Sequence, residues 1–128
     1  MTSMKKKSAM ILFAHGARDP RWAQPFQRLQ VMTQVNLPEV KVELAFLEFM
    51  TPSLTDLVPQ LITDGYEKIV VAPIFLGQGG HVLRDLPVMV NQLRDTYPTL
   101  ELQQLEAAGE DALVLQAIRD YCVRSIKE

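Results

Sequence analysis

Ala9-Met10-Ile11-Leu12-Phe13-Ala14 is a short, wholly apolar run that ends in His15-Gly16. A second run, Ile69-Val70-Val71-Ala72-Pro73-Ile74-Phe75-Leu76, leads through a glycine-rich stretch to His81. Continuous apolar runs of this length are typical of strands buried on both faces of a sheet. Two further runs, 40–47 and 100–105, alternate apolar and polar residues and therefore indicate edge strands.

Helical periodicity follows each of the four runs. The first predicted helix follows Pro20, and the second has Thr51 as its N-cap, Pro52 in its first turn and Gly65 as its stop. The third lies around 86–93 with Asp85 as its cap, and the fourth covers about 110–126. Pro59 interrupts the second helix and predicts a kink or an early break there. The fourth helix has a broader apolar face than one side of a sheet requires, and Cys122 on that face is expected to be a buried, inert thiol.

Strands that alternate with helices imply an α/β fold with a parallel sheet and right-handed crossovers. The first and third strands are continuously apolar and belong in the centre, so the simplest strand order is 2-1-3-4, with helices on both faces. The 128 residues then form a single domain, with residues 1–8 as a ragged tail. In such a sheet a ligand binds where the winding reverses, at the carboxyl ends of strands one and three.

Three side chains that can bind a metal follow strand ends at this edge, namely His15, Glu48 and His81. Two imidazoles and a carboxylate suit a first-row divalent ion and leave coordination positions open for another ligand. Imidazoles can also accept and release protons near neutral pH. Glu48 taken alone is better explained as a solvated surface residue, since exposed glutamates are common.

Three arginines occur near the same loops, Arg18, Arg21 and Arg84. On the rim of the crevice they would bind carboxylates or phosphates of a substrate. The alternative for each is a solvated helix start or a local ion pair, with Asp19 or Asp85 as the partner. The sequence leaves both interpretations open.

The glycine-rich stretch 77–80, which includes Gly79 and Gly80, either lets the backbone approach a ligand closely or forms a flexible loop. It is not a P-loop, because no Gly-Lys-Ser/Thr follows it. Met50, just after the second strand, fits either the core or the site.

Composition excludes several classes of partner. A net charge of −2 and a pI near 5.7 give no general attraction to nucleic acid or to anionic lipid. No apolar stretch approaches the length of a membrane span. Cys122 is the single cysteine, so an intrachain disulfide is impossible and a reducing, cytoplasmic location is expected.

Other enzyme classes lack their motifs. Acyl transfer by a Ser-His-Asp triad would require Gly-x-Ser-x-Gly at a strand–helix turn, and no serine of the chain lies in that pattern. A phosphoryl-transfer enzyme with a histidine nucleophile remains a rival, although Ala14 stands where such enzymes carry arginine immediately before His-Gly. A metal-binding carrier without turnover is a second alternative, because delivery of a metal uses the same ligands as a reaction of that metal.

Five segments together resemble a known family. They are 14–22 (Ala-His-Gly-Ala-Arg-Asp-Pro-Arg-Trp), 45–48 (Ala-Phe-Leu-Glu), 52–54 (Pro-Ser-Leu), 73–76 (Pro-Ile-Phe-Leu) and 80–87 (Gly-His-Val-x-x-Asp-Leu-Pro). In this order and spacing they are similar to the small CbiX/SirB-type class II tetrapyrrole chelatases, which insert cobalt or iron into sirohydrochlorin. The likeness extends from about Ile11 to the last helix.

The resemblance implies that His15 and His81 bind the metal and accept pyrrole protons, and that Glu48 is the acidic residue associated with them. It implies Co²⁺ or Fe²⁺ as a substrate, sirohydrochlorin as the acceptor, no organic cofactor, and a place in cobalamin or siroheme biosynthesis. The chain is about half the length of the two-domain chelatases, which implies a homodimer, and the broad face of the fourth helix suits that interface. The arginines, Met50 and the glycines Gly79 and Gly80 would then contact the macrocycle.

Overall fold

A four-stranded parallel sheet forms the centre of the molecule. The computed structural model describes residues 6–77 and 80–127, and for residues 80–83 it describes the backbone alone. The strands are β1 (Ser8–Ala14), β2 (Val40–Phe46), β3 (Lys68–Pro73) and β4 (Glu101–Gln104). Their order is β2-β1-β3-β4, and all three pairings are parallel, so the predicted sheet and strand order are confirmed.

Four helices connect and flank these strands. They are α1 (Gln24–Asn36), α2 (Leu54–Thr63), α3 (Gly80–Thr96) and α4 (Ala112–Lys127), with 3-10 turns at Pro20–Ala23 and Ala108–Glu110. No helix in the described part of the chain is long and apolar enough to cross a membrane.

The two faces of β1 carry the two halves of the core. Ala9, Ile11 and Phe13 are buried against α2 and α3. Leu12 and Ala14 point to the other face, where they pack with Trp22 and Phe26 and the rest of the α1 layer. Burial on both faces is the physical reason why this run has no polar residue, and it places β1 in the middle of the fold.

Two predicted helix caps were wrong, and one of the two outcomes predicted at Pro59, the early break, does not occur. Ser53, not Thr51, is the N-cap of α2, because its hydroxyl accepts the Asp56 N–H at 3.2 Å. α2 continues through Pro59 to Thr63, so the early break does not occur. Asp85 lies inside α3, which begins five residues earlier at Gly80, and does not cap it.

The end of α2 follows the prediction. Gly65 adopts a φ of +95°, and the N–H of the next residue, Tyr66, donates to the carbonyl of Leu61 at 3.0 Å. A left-handed glycine with this hydrogen bond satisfies carbonyls of the last helical turn and stops the helix.

Residues 6–8 are ordered, contrary to the expectation of a tail over 1–8. Ser8 begins β1, and the carbonyl of Lys7 accepts the N–H groups of Glu67 and Lys68 at 2.9 and 3.2 Å. The Lys6 ammonium lies 2.8 Å from the Glu101 carboxylate, which raises the pKa of Lys6. Residues 1–5 lie outside the described residues.

The loop after β3 is joined to the loop after β4. Gly109 donates its N–H to the Phe75 carbonyl at 2.8 Å, and a Cβ built on Gly109 would lie 1.7 Å from the Leu76 carbonyl oxygen. Only glycine allows the two backbones to approach this closely. The backbone at Phe75 and Leu76 is therefore held against the loop that follows β4.

Most apolar residues of α4 are exposed. Not one residue of α4 is buried, and the helix packs mainly on the 3-10 turn that precedes it. Its predicted apolar face exists as a stripe of helical spacing, and Cys122 on that stripe is exposed rather than buried, so this prediction was wrong. The reason is that periodicity identifies an apolar face but does not say what covers it.

The sheet also has a face that is incompletely covered. On β3, Ile69 and Val71 are buried, while Val70 and Ala72 on the opposite face are half-buried, as is Ile74 just beyond the strand. α1 lies over the β2 half of this face. A cleft therefore remains over the β3 half, and Val114 at the start of α4 lines part of it.

Candidate functional site

A histidine and a glutamate meet at the carboxyl edge of the sheet. His15 follows the last residue of β1, and Glu48 comes two residues after β2. The Nε2 atom of His15 lies 2.9 Å from Oε1 of Glu48, with 39% and 44% of the two side chains exposed. When the carboxylate is ionised, Nε2–H is the donor of this hydrogen bond. The pair is thus preformed and accessible from solvent.

The backbone of the two neighbouring strands holds the pair in register. Leu47 donates its N–H to the Ala14 carbonyl at 2.9 Å, and Glu48 donates to the His15 carbonyl at 3.1 Å. These bonds extend the parallel ladder past the ends of β1 and β2. Main-chain hydrogen bonds fix the positions of both Cα atoms. Only the side-chain torsions of His15 and Glu48 must therefore become ordered for the two side chains to meet.

Gly16 makes the close approach of the two loops possible. Its φ is +94°, and a Cβ built on it would lie 1.9 Å from the backbone carbonyl oxygen of Glu48. No other residue tolerates both the left-handed conformation and this contact. The His-Gly pair of the sequence is therefore a structural requirement for bringing β1 and β2 loops together.

The loop after Glu48 turns back onto the end of β2. Phe49 has a φ of 66°, and Met50 donates its N–H to the Glu48 carbonyl at 2.8 Å. A cis peptide bond joins Thr51 to Pro52. Since α2 begins at Leu54, Pro52 is not in its first turn as predicted. The Pro52 carbonyl instead accepts the N–H of Phe46, the last residue of β2, at 2.9 Å. Met50 is half-buried and packs on the α1-side core.

Phe49 is a residue that the sequence analysis did not single out. Its side chain is 57% exposed, directly beside Glu48. The guanidinium carbon of Arg18 lies 4.8 Å from the centre of the Phe49 ring, which is cation–π distance. The available signal was an aromatic residue in a loop immediately after a predicted ligand.

The other predicted rim arginines lie in two different settings. Arg21 forms an ion pair with Asp19, with Nη2 at 2.7 Å from Oδ2, and this hydrogen bonding holds the pKa of the Asp19 carboxyl below its ordinary value. Asp19 also accepts the backbone N–H of Arg21 and so caps the 3-10 turn. Arg84 is an exposed residue of α3.

His81 lies in the first turn of α3 and not in a loop as predicted. β3 pairs directly with β1, so the helix that follows β3 begins at the sheet edge that carries His15. The side chain of His81 and all of Gly79 lie outside the described residues, and Gly80 is described only as the first backbone position of α3. Among described side chains, no group of three or more His, Cys, Asp or Glu converges on one point.

A model of the CbiX family matches residues 9–124, nearly the whole described chain. The chain belongs to the CbiX family. Sirohydrochlorin cobaltochelatase of Methanopyrus kandleri is 33% identical over 82 residues, which is 64% of this chain and 57% of that protein. The enzyme of the same name from Methanocaldococcus jannaschii is 31% identical over 90 residues, 70% of this chain and 62% of that one. The chain thus matches about three fifths of the length of these relatives.

Solved structures of CbiX-like proteins share the fold. The crystal structure of a CbiX protein from Marinobacter aquaeolei VT8, described as a cobalamin (vitamin B12) biosynthesis protein, has a TM-score of 0.82 and 29% identity over 94% of this chain and 98% of that one. The sirohydrochlorin chelatase SirB of Bacillus subtilis subspecies spizizenii, solved with cobalt, has a TM-score of 0.80 and 22% identity. Its match covers 94% of this chain but 51% of SirB, so SirB is nearly twice as long.

Proposed function

We propose that this chain inserts a divalent metal ion, cobalt or iron, into sirohydrochlorin. The observation that carries the proposal is the preformed pair of His15 Nε2 and Glu48 Oε1, 2.9 Å apart and open to solvent at the switch-point edge of the sheet. Membership of the CbiX family and the names of the M. kandleri and M. jannaschii relatives support the same substrate.

The separation of the two atoms suits neighbouring ligands of one ion. Two donor atoms that each lie about 2.1 Å from a metal, at right angles, are about 3 Å from each other. The 2.9 Å between His15 Nε2 and Glu48 Oε1 needs almost no rearrangement to meet this condition. Binding of the ion at Nε2 displaces the proton of the hydrogen bond, as ligand deprotonation requires.

His81 is proposed as the third protein ligand. Its backbone lies in the first turn of α3, which follows the strand next to β1. Three protein donors, His15, Glu48 and His81, leave the remaining positions of a first-row ion open for pyrrole nitrogens. The ion can then pass from protein donors to macrocycle donors without being released to water.

Metal insertion must remove two pyrrole N–H protons for each ion that enters. We assign their acceptance to His15, His81 or Glu48, which lose the metal in the same step and become available as bases. Arg18, Arg21, Arg84 and Met50, with the backbone at Gly79 and Gly80, are the proposed macrocycle contacts. Of these, Arg21 would have to exchange its Asp19 partner for a substrate carboxylate.

A metallation assay tests the function and separates a catalyst from a carrier. Sirohydrochlorin is incubated with Co²⁺ or Fe²⁺, and the absorbance change is compared with the spontaneous rate, for wild type and for His81→Ala. We expect catalytic amounts of wild type to accelerate insertion and His81→Ala to lose most of that acceleration. A rate that saturates after one metal per protein would instead identify a carrier. The metal that reacts faster assigns the chain to cobalamin or to siroheme biosynthesis.

We also propose that two copies associate through α4. An isolated helix of this length is marginally stable in water, so the exposed stripe of α4 needs a covering surface. The half-buried face at Val70, Ala72 and Ile74 needs a covering element in turn. Both surfaces belong to this chain. In the proposed dimer, the apolar stripe of α4 from one copy covers the cleft over β3 of the other copy. Each large apolar side chain buried in this way contributes about 1.5–3 kcal/mol.

Charge complements this packing. The last turn of α4 carries Arg124 and Lys127, whereas Glu106 and Glu110 line the cleft. Arg119 is paired with Asp120 of the same helix at 3.0 Å and does not contribute to this complementarity. The SirB chain is nearly twice as long as this chain, and this length is consistent with a functional unit of two such domains.

Sedimentation velocity tests the dimer. Ile118 lies on the apolar stripe of α4, and Ile118→Glu is expected to convert the dimer to a monomer because a carboxylate would be buried without a partner. Gln116→Glu introduces the same charge on the polar side of the same helix and should leave the mass unchanged. A monomeric wild type, or a dimer that tolerates Ile118→Glu, would contradict this interface.

A further inference from the structure

Phe49 combines three features that a structural residue seldom has together. It is a large aromatic residue with 57% of its surface exposed, its backbone is in the left-handed region with a φ of 66°, and it directly follows Glu48. Non-glycine residues in this backbone conformation cost about 1–2 kcal/mol relative to the right-handed form. Burial of the ring does not offset this cost, because most of the ring is outside the core.

The hydrogen bonds around Phe49 explain how the conformation is maintained. Glu48 donates to His15 on one side, and Met50 donates back to the Glu48 carbonyl on the other. The Phe49 side chain is thereby held outside the core, with most of its surface exposed. Strained residues of this kind concentrate where a ligand is bound.

The contact of Phe49 with Arg18 indicates the chemistry of that ligand. The guanidinium is placed 4.8 Å from the ring centre and is an exposed group. A flat conjugated ligand stacks on the same ring face, and a carboxylate at its edge forms a bidentate pair with a guanidinium. The ring and the cation together match a planar, anionic macrocycle better than a metal ion alone.

We propose that Phe49 is the stacking platform of the site: the macrocycle takes the ring face that Arg18 covers in the free protein, and Arg18 moves to a carboxylate of the macrocycle. This inference rests on the proposed function and adds to it a specificity-determining residue. Phe49 positions the tetrapyrrole plane beside the His15–Glu48 pair, where the ion is presented, and does not itself bind the metal.

Two binding measurements on the same variants test the platform. The Kd of sirohydrochlorin is measured by absorbance titration without metal, and the Kd of Co²⁺ alone is measured by calorimetry. Phe49→Ala keeps the backbone cost of a non-glycine residue and removes the ring, so we expect sirohydrochlorin to bind roughly 5- to 150-fold more weakly, the range for loss of one aromatic stack. Phe49→Trp should bind it at least as tightly as wild type. Co²⁺ affinity should stay within about twofold in both variants, because stacking leaves the ligand atoms in place.

Matched variants separate the outcomes. Val35→Ala truncates an apolar residue of similar exposure near the far end of α1 and should change neither Kd. Arg18→Gln should weaken sirohydrochlorin binding and reduce its dependence on salt. Unchanged sirohydrochlorin binding by Phe49→Ala overturns the platform while the proposed function stands. Parallel loss of Co²⁺ binding also overturns it, because Phe49 would then only hold Glu48 in place. A wild type that binds no tetrapyrrole refutes the proposed function, and the platform with it.

Discussion

His15→Ala is expected to lower the rate of metal insertion into sirohydrochlorin at least about a hundredfold, the lower range for loss of a positioned acid–base group. The variant removes the imidazole that lies 2.9 Å from Glu48, which is one proposed metal donor and proton acceptor. Glu48→Gln keeps the size of the side chain and an oxygen that can accept from Nε2, but removes the negative charge. It should weaken Co²⁺ binding while leaving the fold unchanged.

The control for these variants is a carboxylate at the other edge of the sheet. Glu67 is exposed and comes just before β3, so Glu67→Gln changes the net charge by the same amount without touching the site. Initial rates and Co²⁺ titrations on all three variants, with circular dichroism to verify folding, complete the comparison. A folded His15→Ala that retains the wild-type rate would remove His15 from the mechanism.

Gly16→Ala is expected to cost about 3 kcal/mol or more in the free energy of unfolding and to disrupt the proposed metal site. The new Cβ would lie 1.9 Å from the Glu48 carbonyl oxygen, a backbone atom that can move only if the β1 and β2 loops separate. The φ of +94° adds the cost of a left-handed alanine. Denaturant unfolding gives the stability, and Co²⁺ titration of the folded fraction gives the state of the site.

Alanine substitutions at two other glycines separate the cost of the left-handed backbone from the cost of the close contact. Gly65 has a φ of +95° but only the flexible Lys7 side chain near a built Cβ, so Gly65→Ala should cost about 1–2 kcal/mol. Gly77 has nothing within 4 Å, and Gly77→Ala should change the stability by less than about 0.5 kcal/mol. If Gly16→Ala were no worse than Gly65→Ala, the close approach of the two loops would not constrain the site.

The sheet was predictable because burial on two faces leaves a clear mark on the sequence. Residues 9–14 are apolar since both faces of β1 pack against other elements, and this places β1 in the centre. Residues 69–73 are equally apolar, although one face of β3 is only half-buried. The two runs that alternate apolar and polar residues were correctly predicted to be the edge strands, β2 and β4. The convergence of His15 and Glu48 followed from the same argument, because parallel strands end at a common edge.

Helix starts were harder to predict because several local hydrogen bonds compete. Thr51, Pro52 and Ser53 form a sequence in which either hydroxyl could cap a helix. The choice is made by a tertiary contact, in which the Pro52 carbonyl accepts the Phe46 N–H and keeps residues 51 and 52 alongside β2. Similarly, the glycines before His81 suggested a loop, whereas the helix already begins at Gly80.

The exposure of side chains depends on elements that lie far away in sequence or on another molecule. Cys122 lies on an apolar stripe, and its pattern is the same whether the stripe is covered by its own sheet or by a second copy. Phe49 was not predicted to be a site residue, because an aromatic residue in a short loop is usually part of the core. Its exposure and its left-handed backbone are visible only in the structure.

The hydrogen bond between Gly109 and Phe75 has a consequence for evolution of the site. The helix that carries His81 starts only a few residues after Leu76, whose carbonyl would collide with any side chain at position 109. Sequence drift at the connection after β4 can thus shift the backbone that carries the proposed metal ligand His81. In a domain this small, residues that bind nothing themselves also constrain the geometry of the site. The number of positions that can vary freely is therefore smaller than the number of proposed ligands alone would suggest.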